Sequence, residues 1–298
     1  GIVTFIKFLE APTKKNLFWA GLAFGAAELM KFSLILLIPV YSLLTLIWMA
    51  VQTHLRIKHK LMFLMELLLK SFALYAVGFV LVWIVYSVFV WNYPVGKQFS
   101  DTEILLNSFG LKQIADFNLW MITIPILKPL GEYLLGILMV IQRAAGGNTS
   151  YFLGDVSSVG SRLYFPVLYI LKEPLAFHLL SLAALLFAIR KIRKENSGVS
   201  FFAFGYWKEK IVLWIKNNFF EFSALFFVIF YIVYSIRSPL NIGVRHILPT
   251  FPFIYILVAR RLNNWLRSYK IPAPENWFSW FKNIYELYIK AIPRYFFV

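Results

Sequence analysis

Arg245 and His246 stand side by side at the start of the apolar stretch NIGVRHILPTFPFIYILVARR, residues 241–261. Lys31 and Lys172 lie at the edges of other apolar runs. A guanidinium group can hold a phosphate through two charge-assisted hydrogen bonds, an ammonium group can neutralise it, and an imidazole titrates near neutral pH. Residues of these types at the boundaries of apolar segments predict a site for the phosphate of an anionic lipid headgroup.

Each of these residues also has a simpler, structural interpretation. Lys31 could pair with Glu28, one helical turn earlier, and Lys172 could extend its ammonium group to a membrane interface. Arg245 could link a loop to a helix, and His246 could be an ordinary buried polar residue. The residue types alone leave both interpretations open.

Two acidic residues lie in the Gly- and Tyr-rich run GGNTSYFLGDVSSVGSRLYFPVLYILKEP, residues 146–174. Asp155 follows Gly154 and could hold a turn, whereas Glu173 could pair with nearby cations. The sequence contains no Gly-rich phosphate loop, no Ser-His-Asp set and no HExxH motif. With no cysteine and only four histidines, it predicts no metal site. No motif in the sequence therefore identifies catalytic residues.

The composition is that of a membrane protein. Hydrophobic residues make up 60% of the 298 positions and charged residues 15%, whereas an average soluble domain is about half apolar and a quarter charged. The net charge of +16 comes from short basic clusters that alternate with apolar runs. Such clusters mark cytoplasmic loops under the positive-inside rule, so we expect no nucleic-acid partner.

The basic clusters also predict how the chain crosses the membrane, because any segment between two cytoplasmic clusters must cross an even number of times. The sequence therefore predicts an all-α, polytopic helical membrane protein with a single domain over residues 1–298 and a large outer loop over 92–173. The predicted spans are residues 17–32, 33–51, 71–91, 174–189, 219–236 and 247–261, followed by a cytoplasmic, interfacial tail over 262–298. This topology places all four residues of the predicted phosphate site near the outer face.

Two apolar stretches do not fit one simple crossing each. Residues 61–91 are too long for one straight crossing, so we expect an interfacial first half, with Glu66 and Lys70 paired one turn apart, before the span. Residues 119–142 are interrupted near their centre by prolines and charged residues, which a lipid-exposed helix does not tolerate. We expect an interfacial or re-entrant helix there, without a crossing.

Three segments resemble motifs of the membrane glycosyltransferases related to the dolichyl-phosphate-mannose protein mannosyltransferases. NIGVRHILPTFPF (241–253) is similar to the family's N-I-G-x-R-H-x-L-P-x-x-P motif. GNTSYFLGDVSSVGSRLYFPVLYILKEPL (147–175) resembles its outer-loop signature, in which a glycine-led segment precedes Tyr-Phe-Pro and a Leu-Lys-Thr-Pro helix start. AELMKFSLILLIP (27–39) resembles its short helix that contains Thr-Lys. The resemblance covers about residues 12–262.

The resemblance implies the GT-C fold, a helical membrane domain with large outward loops. It also implies an enzyme, a hexosyltransferase, that moves a sugar such as mannose from a polyprenyl-phosphate donor to a protein or lipid acceptor on the outer or lumenal side. The donor is a substrate, and no further cofactor is implied.

The resemblance assigns roles to particular residues of this sequence. Lys31 and Arg245 would contact the donor phosphate. The positions beside that phosphate would be His246 and Lys172, and the wall of the outer loop would contain Asp155 and Tyr164.

The sequence departs from the family pattern in three places. Met30 stands where the family has threonine, Ser161-Arg162 where aromatic residues are common, and Glu173 where Lys-Thr-Pro has threonine. These differences bear on the acceptor and leave the fold expectation intact. The family's catalytic acidic residues lie in a first outer loop, so we expect them upstream of Gly1 and expect this chain to be a C-terminal portion that is inactive by itself.

Two other functions remain open from the sequence. A transporter or flippase for a lipid-linked or anionic solute would also gather cations, but it would place ionisable residues at mid-span and break its helices. A non-catalytic membrane subunit with the same fold is the third hypothesis. In each case we expect a cell membrane, either a bacterial plasma membrane or a eukaryotic endoplasmic reticulum.

Overall fold

The computed structural model describes residues 1–52, 57–200, 202–267 and 275–296. Within these ranges the chain is all-α, as predicted, and its two strands form a single hairpin. The helices are α1 (Ile2–Glu10), α2 (Lys14–Met30), α3 (Leu37–Ala50), α4 (Ile57–Phe89), α5 (Val95–Leu106), α6 (Lys112–Thr123), α7 (Lys128–Gly146), α8 (Tyr164–Lys172), α9 (Leu175–Glu195), α10 (Phe204–Asn217), α11 (Phe219–Arg237), α12 (Phe251–Arg267) and α13 (Trp277–Phe296). The antiparallel strands are β1 (Ser150–Phe152) and β2 (Asp155–Ser157).

Four helices in the described ranges are long and apolar enough to cross a lipid bilayer: Phe32–Ala50, Lys58–Phe89, Leu175–Glu195 and Phe219–Arg237. They overlap four of the six predicted spans. The other two, 17–32 and 247–261, fall on α2 and α12, which have 17 residues each and are about 25 Å long. That length is less than the ~30 Å hydrocarbon core of a bilayer, so a crossing there would need the flanking segments as well.

No break separates the interfacial half and the span that were predicted within residues 61–91. α4 is one unbroken helix of 33 residues, about 50 Å long. It contains no proline and a single glycine, Gly78, so nothing in its sequence removes a backbone hydrogen bond. The expected surface pair does form, because the Lys70 ammonium lies 2.6 Å from the Glu66 carboxylate.

Residues 92–173, predicted as a large outer loop, are mostly helical and contain α5 to α8 and the hairpin. Where one interfacial or re-entrant helix was expected within 119–142, the structure has parts of two helices, since α6 ends at Thr123 and α7 begins at Lys128. α5 buries Gln98, Thr102 and Leu106, which are spaced four residues apart and share one face. Because two of these three buried residues are polar, a hydrophobicity pattern does not reveal the helical period of α5.

α2 packs against α4 through three glycines. A Cβ atom at Gly25 would lie 2.9 Å from the Cα of Gly78, and one at Gly21 would lie 2.7 Å from atoms of α4. Real Cβ atoms do not approach neighbours so closely, so the two backbones can meet here only without side chains. Phe24, between the two glycines of α2, is fully buried. This glycine seam (Gly21, Gly25 and Gly78) positions the end of α2 and therefore Lys31.

The C-terminal helices define two ends of the molecule. α9 and α12 run parallel, because Phe177 contacts Tyr255 and, ten residues further along both helices, Phe187 contacts Trp265. α11 runs antiparallel to α12, since Glu221, near the start of α11, lies 2.6 Å from an arginine in the second half of α12. The end of α11 and the starts of α9 and α12 therefore meet at one end, and the basic ends of α9 and α12 lie at the other.

Candidate functional site

Lys31 is positioned by the end of α2. The helix ends at Met30, and Lys31 has an extended backbone before the 3-10 turn Phe32–Leu36. Its ammonium group donates hydrogen bonds of 3.3 Å to the backbone carbonyls of Arg245 and His246. Two segments of the predicted phosphate site, more than half the chain apart in sequence, are therefore in contact.

The alternative salt bridge between Lys31 and Glu28 is absent. Glu28 is buried, and its carboxylate accepts a 2.7 Å hydrogen bond from the Tyr133 hydroxyl of α7. Because α2 ends between Glu28 and Lys31, the helical spacing of the sequence does not bring the two side chains together. Lys31 has no carboxylate partner among the described residues.

The segment between α11 and α12 presents Arg245 and His246 on a short 3-10 turn, Val244–His246. Gly243 precedes the turn with φ 91°, a conformation that favours glycine. The Arg245 side chain is exposed, and its Nε atom donates to the carbonyl of Ile242 at 3.0 Å. Its terminal nitrogens form no ion pair with any carboxylate in the part of the chain that the structure describes, so they can bind an external anion.

His246 is buried between two aromatic rings. Its ring centroid lies 5.3 Å from that of Phe165 in α8 and 5.8 Å from that of Tyr231 in α11. Burial, and next the charge of Lys31, lower the pKa of His246 from 6.5 to about 4. The imidazole is therefore neutral at pH 7, and its Nε2 atom has no hydrogen-bond partner within the described ranges. His246 can make one further hydrogen bond, but it adds no positive charge.

Two asparagines near the cations were missed by the sequence analysis. Asn241 is buried, and neither its Oδ1 nor its Nδ2 atom has a partner among the described residues. The Asn148 amide donates to the Asn241 carbonyl at 3.2 Å, and the Oδ1 atom of Asn148 is likewise buried without a partner there. Because such an atom costs about 1–3 kcal/mol, these groups are candidates for contacts with a bound polar molecule. Their only sequence signal is their place in the two longer motif segments.

Glycines allow those two motif segments to pack together. A Cβ atom at Gly160 would lie 2.5 Å from the carbonyl oxygen of Pro239, and one at Gly147 would lie 3.3 Å from the Pro239 side chain. Gly147 also has φ 69°. The chain around residues 147–160 can therefore lie against the start of the segment that carries Arg245.

Tyr164 lies close to the site, whereas Lys172 does not contact it. Tyr164 packs at 5.3 Å against the ring of Phe165, which in turn contacts His246. Lys172 ends α8, about 10 Å further along the helix than Phe165, and its side chain is exposed. The structure describes no contact between Lys172 and the other cations.

Asp155 lies on the hairpin, with an exposed side chain. The turn before it has positive φ at both Leu153 (51°) and Gly154 (101°), as in a type I′ turn, so backbone geometry holds it. No described hydrogen bond supports the predicted turn-holding role of Asp155. Glu173, expected to pair with cations, accepts a 2.6 Å hydrogen bond from the Tyr255 hydroxyl instead.

The assembled site therefore offers two cations, a neutral imidazole and buried amide groups, an arrangement suited to binding an anion. Within the described ranges, no group of three or more His, Asp or Glu residues could hold a metal ion. No protein-family model matches the chain, and comparisons with curated proteins and with solved structures found no match either.

Proposed function

We propose that this chain belongs to a polytopic membrane glycosyltransferase of the GT-C type, which moves a hexose from a polyprenyl-phosphate donor to a protein or lipid acceptor on the outer or lumenal side. The observation that carries the proposal is the contact of Lys31 with the turn that bears Arg245. Two cations lie together there without a carboxylate partner among the described residues. Because like charges repel, an anion bound between them is strongly favoured.

The transfer reaction needs such a site at the leaving group. The acceptor hydroxyl attacks the anomeric carbon of the sugar, the bond from that carbon to the phosphate oxygen breaks, and the hydroxyl proton passes to a general base. Negative charge then builds up on the departing polyprenyl phosphate, where Lys31 and Arg245 stabilise it. His246 and Asn241 offer further hydrogen bonds. No carboxylate pairs with the two cations among the described residues, so these groups account for stabilisation of the leaving group alone.

An apolar cleft along α11 supports a lipid-linked ligand. The cleft has a volume of about 540 Å³ and is lined by one face of α11 between Phe222 and Arg237, with mostly aromatic and aliphatic side chains. Tyr234 of the cleft contacts Tyr231, whose ring contacts His246. A polyprenyl chain along this face would place its phosphate near the end of α11 that adjoins the cations.

A second candidate function, transport of a lipid-linked or anionic solute, is favoured by Glu28. This acid is buried inside α2, with one carboxylate oxygen bonded to Tyr133 and the other without a partner in the described ranges. Ionisable side chains buried in membrane helices often belong to proton or ion pathways. A transporter would use the same two cations to hold the solute phosphate.

Binding of a polyprenyl phosphate tests the shared premise of both functions. The chain, purified in detergent, is titrated with a short polyprenyl phosphate or with the matching polyprenol, and the complexes are counted by native mass spectrometry. We expect binding of the phosphate to exceed that of the alcohol. Lys31→Gln and Arg245→Gln should each weaken it by about tenfold, the effect of losing one charge-assisted contact. Lys97→Gln, which removes an exposed cation of α5, should bind like the unaltered chain.

Equal binding of the alcohol and the phosphate, or unchanged binding by both variants, would remove these cations from a phosphate site. Transfer is then measured in membranes that contain the full protein, with a sugar-labelled donor. Loss of sugar transfer in Arg245→Gln at unchanged expression supports the transferase. Movement of the donor between leaflets without transfer supports the transporter and contradicts the transferase.

A further inference from the structure

A basic cavity lies at the other end of the molecule, between the C-terminal halves of α9 and α12. It has a volume of about 380 Å³. Its cations are Arg190, Lys191 and Lys194 from α9 and Arg261 from α12, and none of the described residues that line it is acidic. None of these residues takes part in the proposed phosphate site at the end of α2.

The cavity is built by packed side chains. The rings of Phe187 and Trp265 stack at 4.5 Å with an angle of 12° between their planes, and both line the cavity. The Arg261 guanidinium donates a hydrogen bond to the carbonyl of Phe187, and its Nε atom is buried without a partner in the described part of the chain. The position of Arg261 is therefore set by the contact between α9 and α12.

The cations of the cavity and the neighbouring Arg260 differ in how far acidic residues neutralise them. Arg260, the residue before Arg261, has its charge neutralised by Glu221 at 2.6 Å. Lys191 pairs with the exposed carboxylate of Glu195 at 3.6 Å, and such a pair contributes little. Lys194 and Arg261 have no carboxylate partner in the ranges that the structure describes. The cavity therefore favours an anion.

The surface of α9 indicates that this anion carries a hydrocarbon chain. Leu182, Leu186 and Arg190 are spaced four residues apart, so they lie on one face of the helix. Both leucines are exposed, and little of the apolar span Leu175–Glu195 is buried inside the protein. An apolar strip thus leads directly to the cations, as an acyl chain leads to its phosphate.

We infer that this cavity binds the phosphodiester headgroup of an anionic phospholipid, with one acyl chain along α9. Basic pockets between membrane helices bind such headgroups, and each nearby cation strengthens the attraction. The aromatic pair Phe187 and Trp265 lies where the apolar strip meets the charges, as aromatic side chains do at membrane interfaces. The inference requires that α9 crosses a bilayer, but it does not depend on sugar transfer or on the proposed phosphate site.

Lipid binding to the detergent-purified chain tests this inference. The chain is titrated with phosphatidylglycerol, with phosphatidylcholine of the same acyl chains, or with inorganic phosphate, and bound lipid and thermal unfolding are measured. We expect phosphatidylglycerol to bind and to raise the unfolding temperature more than the other two. The double variant Lys191→Gln/Lys194→Gln should weaken its binding by roughly tenfold or more. The control Lys14→Gln/Lys15→Gln removes the same charge from exposed positions of α2 and should bind normally.

Equal binding of the two lipids, or equal losses in the two double variants, would overturn the inference, because attraction would then be apolar or merely a matter of total charge. An equal response to inorganic phosphate would overturn the lipid assignment. Neither double variant touches Lys31 or Arg245, so a failure here is distinguishable from a failure of polyprenyl-phosphate binding.

Discussion

The glycine seam between α2 and α4 adjoins the polar cluster at the end of α2, which consists of the cations Lys31 and Arg245 and the neutral His246. The two regions differ in how many of their polar and charged groups have partners. In the seam, backbone lies against backbone and the intervening Phe24 is fully buried. In the cluster, the cations lack carboxylate partners and His246 Nε2 lacks a hydrogen bond, as far as the structure describes the chain. The packing of the seam stabilises the fold. The cluster contributes less stability, because its polar and charged groups lack partners.

This difference indicates where each kind of substitution should act. A group that is buried without its partner lowers stability, and it is tolerated where a ligand can complete it. Changes in the seam should therefore unfold the protein without a specific effect on ligands. Changes in the cluster should alter ligand binding or pH dependence and leave most of the stability in place.

The largest expected effect is that of Gly25→Leu in the seam. Its side chain would overlap the backbone of Gly78, which cannot move aside, so we expect a loss of more than about 3 kcal/mol in the free energy of unfolding, although leucine is the better helix former. Gly96→Leu is the control, because nothing lies within 4 Å of a Cβ atom there. Thermal unfolding in detergent measures both variants. Equal stabilities would show that α2 and α4 do not pack through glycine.

The next effect is a loss of stability at acidic pH caused by His246. Above pH 6.5 its imidazole is neutral in both the folded and the unfolded chain, and the full stability is present. Between pH 6.5 and about 4, burial keeps the folded pKa low while the unfolded chain takes up a proton, so stability falls as the pH falls. The loss reaches about 3 kcal/mol at most.

Unfolding temperatures of the unaltered chain and of His246→Gln, measured from neutral pH to about pH 4, check this prediction. The variant should lose less stability on acidification. His59→Gln, at an exposed position of α4, should follow the unaltered chain. Parallel pH curves for the unaltered chain and His246→Gln would contradict the burial of a neutral imidazole.

The smallest effect on stability should come from Lys31→Met. The variant loses two 3.3 Å hydrogen bonds but also removes a cation that lies beside Arg245, so we expect a change within about 1 kcal/mol. Its binding of polyprenyl phosphate should nevertheless fall. In Lys128→Met the ammonium that bonds the carbonyls of Val90 and Tyr93 is lost instead. Lys128→Met should keep ligand binding. If Lys31→Met kept ligand binding but lost stability, Lys31 would have a structural role.

The helical class and several helix boundaries could be predicted because they depend on local sequence. Runs of apolar residues predicted helices over 33–51, 174–189 and 219–236, and helices lie there. The prolines and charges within 119–142 coincide with the break between α6 and α7, where a single helix was expected. The same reasoning failed where polar residues form a buried face, as at Gln98 and Thr102 of α5. In α4 the predicted interfacial half and span form one continuous helix, because no residue interrupts it.

The candidate site was predicted in part. Lys31, Arg245 and His246 do meet, whereas Lys172 lies further along α8 and Asp155 is exposed on the hairpin. Residue type could identify groups able to hold a phosphate, but it could not tell which of them share a surface. The unpartnered amide of Asn241 also needed three dimensions, because asparagine in a loop is ordinarily a solvent-exposed turn residue.

By itself, the sequence determined that this protein is helical, highly apolar and basic, since composition and hydrophobic period are properties of short segments. Only the tertiary structure decided that Lys31 contacts a turn 214 residues further on and that Glu28 accepts a hydrogen bond from Tyr133 instead of pairing with Lys31. The physical reason is that such pairings depend on how closely backbones approach. For α2 and α4 that approach needs glycines on both helices, whose fit no local pattern encodes.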